Sequence, residues 1–291
     1  MQKTRLGRTG LEVTRITLGG YPFGGVNRAN NWDPWSDEGR RAAIATVHRA
    51  LDLGINYIDT APAYGAGNSE RLIGEVMNTR RAECVLATKV RWEGLGKQEV
   101  IDSVRESLLR LQTERIDLVQ FHGGMFTDAE YRHIVHGGPL EGLLALQQAG
   151  DIGFIGLTAE EPWTTRPFLQ HPEFTVLQLA YNFIYQAAAR NVLDEATAHD
   201  VGVVTMRTMT SGILQRAARY IAPEWAGTTD LYELCLKFVL SDSRVHSAIV
   251  GMRWPGEVDR NVALLQSFRP EFDFAKLPRM TAHVYEAEDS E

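Results

Sequence analysis

The apolar run Gly-Ile-Asn-Tyr-Ile ends on an acid, Asp59, and the run Cys-Val-Leu-Ala-Thr ends on a base, Lys89, with a helix-length segment between them. If each run is a strand, one βαβ unit brings both charges to the same carboxyl edge of neighbouring parallel strands. Tyr64 lies in the loop after Asp59, and Ser69 with Glu70 has the form of a helix cap followed by an acid in the first turn. Lysine is scarce in this chain: Lys3, Lys89, Lys97, Lys237 and Lys276 stand against twenty-five arginines. A lysine is a compact ammonium whose ionisation responds to burial and neighbours, and such a charge beside a phenol favours the phenolate. Singly, each residue reads equally well as half of a structural ion pair or as a packed loop tyrosine. Together they point to proton transfer at Tyr64.

The elements that must position them alternate. Residues 2–14, with Gly7 and Gly10 between short alternating runs, predict a β-hairpin over the bottom of a barrel. A strand over Arg15–Gly20 precedes a helix over 38–54 and the strand that stops at Asp59. Strand Cys84–Val90 then leads to helix Gln98–Leu111, Ile116–Phe121 to Leu140–Gln148, and Phe154–Thr158 to a short helix near Thr164–Leu169. Thr175–Tyr181 leads to Arg190–His199, Val201–Met206 to Leu231–Leu240, and Ser247–Gly251 to Glu257–Phe268. Eight such units in 291 residues argue for an α/β protein with a closed (β/α)8 TIM barrel, one domain over 1–291, its active site at the strands' carboxyl ends. The loop 21–37 holds Tyr21, Phe23, Trp32 and Trp35, enough aromatic area to wall a substrate pocket, with Trp92 after the third barrel strand as a further candidate. Residues 269–285, with Phe272, Phe274 and Tyr285, either fold over the mouth or pack on its side, and the acidic end Glu286–Glu291 is expected to fray.

The stretch around Asp59 resembles the aldo-keto reductases, whose signature is Gly-x-Asn-x-x-Asp-Thr-Ala-x-x-Tyr-Gly followed by Ser-Glu-x-x-x-Gly. Gly54, Asn56, Asp59, Thr60, Ala61, Tyr64, Gly65, Ser69, Glu70 and Gly74 match it. That family carries a lysine at the end of the third barrel strand and a histidine at the end of the fourth, the places of Lys89 and of His122 in Asp-Leu-Val-Gln-Phe-His. The resemblance covers nearly the whole chain. It implies an oxidoreductase that uses NADP or NAD to interconvert an aldehyde or ketone, of a sugar or ring-bearing metabolite, and its alcohol. A carbonyl that accepts hydride develops negative charge on oxygen and needs a proton donor and a charge stabiliser there. The resemblance assigns Tyr64 as donor, Lys89 as the charge that lowers its pKa, Asp59 as the holder of Lys89, and His122 as a ring N–H that orients the carbonyl.

The same resemblance implies a cofactor set. Gly20 and Tyr21 follow the first barrel strand, where paired glycines let a ligand approach the backbone. Gln178 matches the glutamine that holds the nicotinamide amide; the usual Gly-x-Ser-Asn is here Gly156-Leu157-Thr158-Ala159, which keeps a hydroxyl on Thr158 and loses an amide. Met206 replaces a stacking tyrosine, and Arg207, Met209 and Ser211 follow it. Gly251, Met252, Arg253, Glu257 and Asn261 match the adenosine-phosphate segment, with Arg253 able to grip phosphate. Glu257 falls beside the adenosine ribose, where a carboxylate repels a 2′-phosphate, so NADH is expected to serve at least as well as NADPH.

Composition narrows the alternatives. Thirty basic against 37 acidic residues, a net charge of −7 and no basic patch weigh against nucleic acid or an anionic membrane and favour a small-molecule partner. No segment approaches the roughly eighteen uninterrupted apolar residues of a membrane span. Met-Gln-Lys-Thr-Arg-Leu has no apolar signal region, and Cys84 and Cys235 lie far apart, so a cytoplasmic protein with two reduced thiols is expected. No GxGxxG follows a strand, which argues against a Rossmann domain. His133 and His136, expected in the loop beyond the fourth barrel strand, have a spacing seen in metal ligands but no accompanying carboxylate or cysteine cluster, so no metal is expected. Two other readings stand beside the oxidoreductase: a metal-assisted barrel hydrolase or isomerase using Asp59, His122, His133 and His136, and a non-catalytic regulatory subunit.

Overall fold

The computed structural model describes residues 1–25, 32–270 and 272. Strands β1 (Lys3–Arg5) and β2 (Glu12–Thr14) form an antiparallel hairpin. Eight parallel strands follow: β3 (Ile16–Gly19), β4 (Tyr57–Asp59), β5 (Val85–Val90), β6 (Ile116–His122), β7 (Ile152–Ala159), β8 (Phe174–Ala180), β9 (Gly202–Met206) and β10 (Ser247–Gly251). They pair in chain order, and β10 closes on β3 to complete a barrel. Parallel strands are covered on both faces, which is why these runs are apolar nearly throughout. The helices are α1 (Asp37–Asp52), α2 (Asn68–Arg80), α3 (Lys97–Leu111), α4 (Asp128–His136), α5 (Pro139–Ala149), α6 (Ala187–Asn191), α7 (Leu193–Ala198), α8 (Ile213–Ile221), α9 (Pro223–Thr228), α10 (Leu231–Ser241) and α11 (Pro255–Ser267), and α8 and α9 pack on each other, with α8 also against α10.

The inner floor of the barrel is a separate apolar layer of Tyr57, Val85, Ala87, Leu118, Val176 and Val204, and Leu6 and Val13 of the hairpin close it from below. The hairpin presses hard on the barrel: a Cβ at Gly7, whose φ is +50°, would lie 2.2 Å from the Gly202 nitrogen. With the floor plugged, a ligand can enter only from the opposite rim. The register rows Gly19–Asp59, Lys89–Gln120, His122–Thr158–Gln178 and Ala180–Met206 bring the polar strand ends to that rim.

Several expectations are corrected. His133 and His136 lie on a helix, α4, not in a loop; Thr127 and Glu130 cap it reciprocally. The helix expected over Arg190–His199 is two short pieces, α6 and α7, and α8 and α9 fill what reads as connection before α10. Ser69 does not cap α2, whose N-cap is Gly67 without a side-chain bond. Of the segment 269–285, Phe272 packs edge-on against Phe238 of α10 at 5.3 Å and against Phe183, which follows β8, at 6.5 Å. The expectations for Phe274, Tyr285 and Glu286–Glu291 lie outside the described residues, as does the middle of the 21–37 loop. Among the described residues no helix is long and apolar enough to cross a membrane.

Candidate active site

At the ends of β4 and β5 the expected ion pair is present and buried. Lys89 Nζ donates to both Asp59 oxygens, at 2.8 and 2.7 Å, and to the Thr60 carbonyl at 2.9 Å. The Tyr64 ring lies above it, with its centroid 5.1 Å from Nζ. His122 meets that ring edge-on at 5.8 Å, and Tyr21 meets it edge-on from another side at 5.0 Å. Asp59, Tyr64, Lys89 and His122 are thus one cluster.

The residues that fix it come from the same stretch. Ser69 Oγ donates to the Gly20 carbonyl and meets Thr60 Oγ1, each at 2.8 Å, tying the ends of β3 and β4 to α2. Glu70, fully buried, accepts from Thr88 Oγ1 and from Arg110 Nε, both at 2.6 Å, and so bolts α2 to β5 and α3.

Burial and the neighbouring charges set the protonation states. Burial pushes the Tyr64 phenol above its ordinary pKa, outweighing the downward pull of Lys89, so the expected lowering does not occur and the tyrosine stays protonated through neutral pH. For Lys89 burial disfavours the charge, but Asp59 and then Tyr64 outweigh it and hold the ammonium above its ordinary pKa. His122 is pushed down to about 3 by burial and next by Lys89, and is a neutral imidazole in working conditions.

Across the mouth the expected cofactor residues are on one rim, with their polar atoms differently disposed. Gln178, on β8, directs Nε2 toward Met206 Sδ at 3.9 Å. Thr158 is turned onto the end of neighbouring β6: Oγ1 accepts from Gly123 N at 3.0 Å and donates toward the Gly123 and Phe121 carbonyls, so its hydroxyl is not offered to the mouth as expected. Arg207 ion-pairs with Glu160 and donates to Ser211 Oγ at 3.1 Å, and Met209 packs on the core. Met252 is buried, leaving only its backbone and Gly251 for a ligand. Glu257 is not the free carboxylate expected: Oε2 accepts from the Arg253 and Trp254 nitrogens at 2.5 and 3.3 Å, closing the first turn of α11. Asn261 Nδ2 donates to the Glu257 carbonyl at 2.8 Å. Arg253 Nε is buried with no partner among the described residues.

Of the aromatic candidates, Tyr21 is 49% exposed beside Tyr64, and Trp35 is half-exposed and lies against Gly25. Trp32 is 1% exposed, gives its N–H to the Pro22 carbonyl at 2.7 Å and packs edge-on against Trp254, so it is a core residue and not a pocket wall. Trp92 is likewise buried against Phe126, its carbonyl held by His133 Nε2 at 3.1 Å. No group of three or more His, Cys, Asp or Glu that could hold a metal occurs among the described residues. One buried polar residue of the cluster was not anticipated: Gln120, on β6, with Nε2 3.0 Å from Gln178 Oε1 and 3.4 Å from Asp59 Oδ1. Its signal was a glutamine in an apolar strand, two residues before His122 and so on the same face.

Residues 15–282 match the family described as Aldo/keto reductase family. The chain is 28% identical to pyridoxal 4-dehydrogenase of Microbacterium luteolum over 93% of its own length and 94% of that protein. It is 26% identical to the NADH-specific methylglyoxal reductase of Escherichia coli, over 98% and 100% of the two chains. Among solved structures, an aldo-keto reductase from Bacillus halodurans in its holo form superposes with a TM-score of 0.75 at 25% identity, covering 94% of this chain and 93% of that one.

Proposed function

The chain belongs to the aldo/keto reductase family, and from that premise we propose which of its residues carry out the NAD(P)-dependent interconversion of carbonyl and alcohol. The observation that carries the assignment is the buried Asp59–Lys89 pair beneath Tyr64, with His122 against the same ring. The opposite rim suits a nicotinamide dinucleotide: Gln178 Nε2 is a buried donor that meets the Met206 thioether and reaches toward the Asp59 carboxylate, and Arg253 Nε is a buried donor with no partner among the described residues. Gln178 would hold the carboxamide, Met206 would pack on the ring, and Arg253 would take phosphate. NAD(P)H supplies the hydride.

This chain's own part is the proton. Tyr64, kept protonated by burial, gives its proton to the carbonyl oxygen as negative charge develops there. Lys89 stabilises the phenolate left behind, and Asp59 keeps the ammonium charged and in place. Neutral His122 offers a ring N–H to the same oxygen without competing as an acid. In the alcohol-oxidising direction the same groups act in reverse. The substrate class supported is a small aldehyde, ketone or matching alcohol, and the half-exposed Tyr21 beside Tyr64 together with the pyridoxal-oxidising relative favours a ring-bearing one.

Tyr64→Phe tests this. Carbonyl reduction should fall roughly 100- to 10,000-fold, the usual worth of a positioned acid, with NAD(P)H affinity by tryptophan-fluorescence quenching unchanged. Turnover within a few-fold of the parent would remove Tyr64 from the acid's role.

A further inference from the structure

Gln120 is fully buried in the middle of β6, between the proposed proton machinery and the proposed cofactor rim. Its Nε2 spans the two, donating to Gln178 Oε1 at 3.0 Å and, more weakly, to Asp59 Oδ1 at 3.4 Å. The reach across β7 is made possible by Gly156, its register partner, where a Cβ would come within 3.1 Å of the Gln120 side chain. Gln120 Oε1 is buried with no partner among the described residues, so the side chain is held by its nitrogen alone.

The direction of this relay is fixed at one end. Burial pushes the Asp59 carboxyl above its ordinary pKa, but Lys89 Nζ donates to both of its oxygens and leaves neither free to carry a proton, so Asp59 can only accept. The Gln120 atom facing it must be nitrogen. The second N–H of that nitrogen meets Gln178, which must answer with oxygen. The Gln178 nitrogen is thereby turned toward Met206 Sδ at 3.9 Å, where it also feels the Asp59 carboxylate, and that acceptor favours the same orientation of the amide. Flipping Gln120 sets oxygen against carboxylate oxygen, and flipping Gln178 sets donor against donor.

We infer that Gln120 is a positioning residue that transmits the polarity of the Asp59–Lys89 pair to Gln178, so that Gln178 presents a donor and recognises a carbonyl oxygen, as in a carboxamide. The inference rests on the proposed role of Gln178 at the nicotinamide. Gln120 touches neither substrate nor cofactor in this scheme.

The test measures NADH and NADPH affinity by fluorescence titration for the parent, Gln120→Met, Gln178→Met and the double variant. Each single change should weaken binding about two- to tenfold, the worth of one hydrogen bond, and the double should be no weaker than either single. Gln120→Glu gives a readout that mere packing would not move. Relative to the parent at each pH, its affinity should fall as the introduced carboxyl ionises, because a carboxylate can donate neither to Asp59 nor to Gln178. This variant also decides the matter if Gln120→Met does not fold. Gln178→Met weakening binding while Gln120→Met stays within about twofold, or an additive double variant, overturns the relay alone. No effect from Gln178→Met overturns the role of Gln178 and the relay with it.

Discussion

On the β3–β6 side of the mouth the charged groups Asp59, Lys89 and Glu70 are buried and tied to one another or to neighbouring elements, whereas on the β7–β10 side the charged groups Glu160, Arg207 and Glu257 are more exposed. Lys89 has three bonds to Asp59 and Thr60, and Glu70 joins β5 to α3. Opposite them, Thr158 bonds to backbone at the end of neighbouring β6, Arg207 to Glu160 and Ser211, and Glu257 to the first turn of its own helix. Arg207, Thr210 and Ser211 hold positive φ, at 56°, 54° and 52°, on this second side. Each such residue costs of order 1 kcal/mol, which a segment tolerates where rigidity is not what it supplies. Under the proposed function the contrast falls between two tasks. Proton transfer needs charges that do not rearrange, whereas holding a large cofactor needs many contacts of modest strength. Substitutions on the first side should therefore cost orders of magnitude and on the second only small factors.

The strongest test sets one ion pair from each side against the other. Lys89→Met leaves Asp59 buried without its partner and should cost about 3–5 kcal/mol in urea unfolding, with activity lost as fully as in Tyr64→Phe. Glu160→Gln breaks the exposed pair with Arg207 and should cost no more than about 1 kcal/mol. Equal losses in the two variants would erase the distinction between the sides.

A second test uses pH. The unfolded chain protonates His122 near its ordinary pKa of 6.5, while the folded chain resists until about 3. In that window the unfolded state binds the extra proton, so the stability contribution is complete above 6.5 and is lost as pH falls. His246, also pushed down by burial, behaves the same way and is retained in any His122 variant. Melting temperatures from pH 7.5 to 4.5 should therefore fall more steeply in the parent than in His122→Asn. Parallel curves would mean that His122 is not desolvated and does not belong with the rigid side.

The same asymmetry explains what could be read from residues alone. An apolar run that stops on a charge is local information, and Asp59, Lys89 and His122 are each the last residue or nearly the last of such a run, so their meeting follows from strand order. The hairpin floor was legible from alternation around Gly7 and Gly10. What a hydroxyl or an indole touches is not local. Ser69 and Thr158 are claimed by backbone of neighbouring strand ends, and Trp32 becomes core because Trp254 stands 4.9 Å away from a distant part of the chain. Helix α4 was legible in principle, since Thr127 and Glu130 form a capping box, but its apolar face is short: Ile134 alone is fully buried. Gln120 was overlooked because a single polar residue in a strand gains its meaning only from Asp59 and Gln178 on other strands.

The smallest expected effect concerns the choice between NADH and NADPH. Glu257 closes the α11 turn with Oε2 and leaves Oε1 3.9 Å from the Arg253 guanidinium, and its side chain is 40% exposed, so its charge is partly answered and screened. The repulsion of a 2′-phosphate is reduced accordingly, to about 0.5–1 kcal/mol. Glutamine accepts the same cap bonds, so Glu257→Gln removes charge without undoing the helix start. We expect the parent to use NADH at least as well as NADPH, and Glu257→Gln to shift the kcat/KM ratio toward NADPH by about two- to fivefold. Arg253→Ala should weaken both cofactors alike, because the contact proposed for it is to a phosphate they share. A parent that already prefers NADPH by about a hundredfold, and loses that preference only in Arg253→Ala, would show that the arginine reads the 2′-phosphate and that this rim too is governed by one dominant charge.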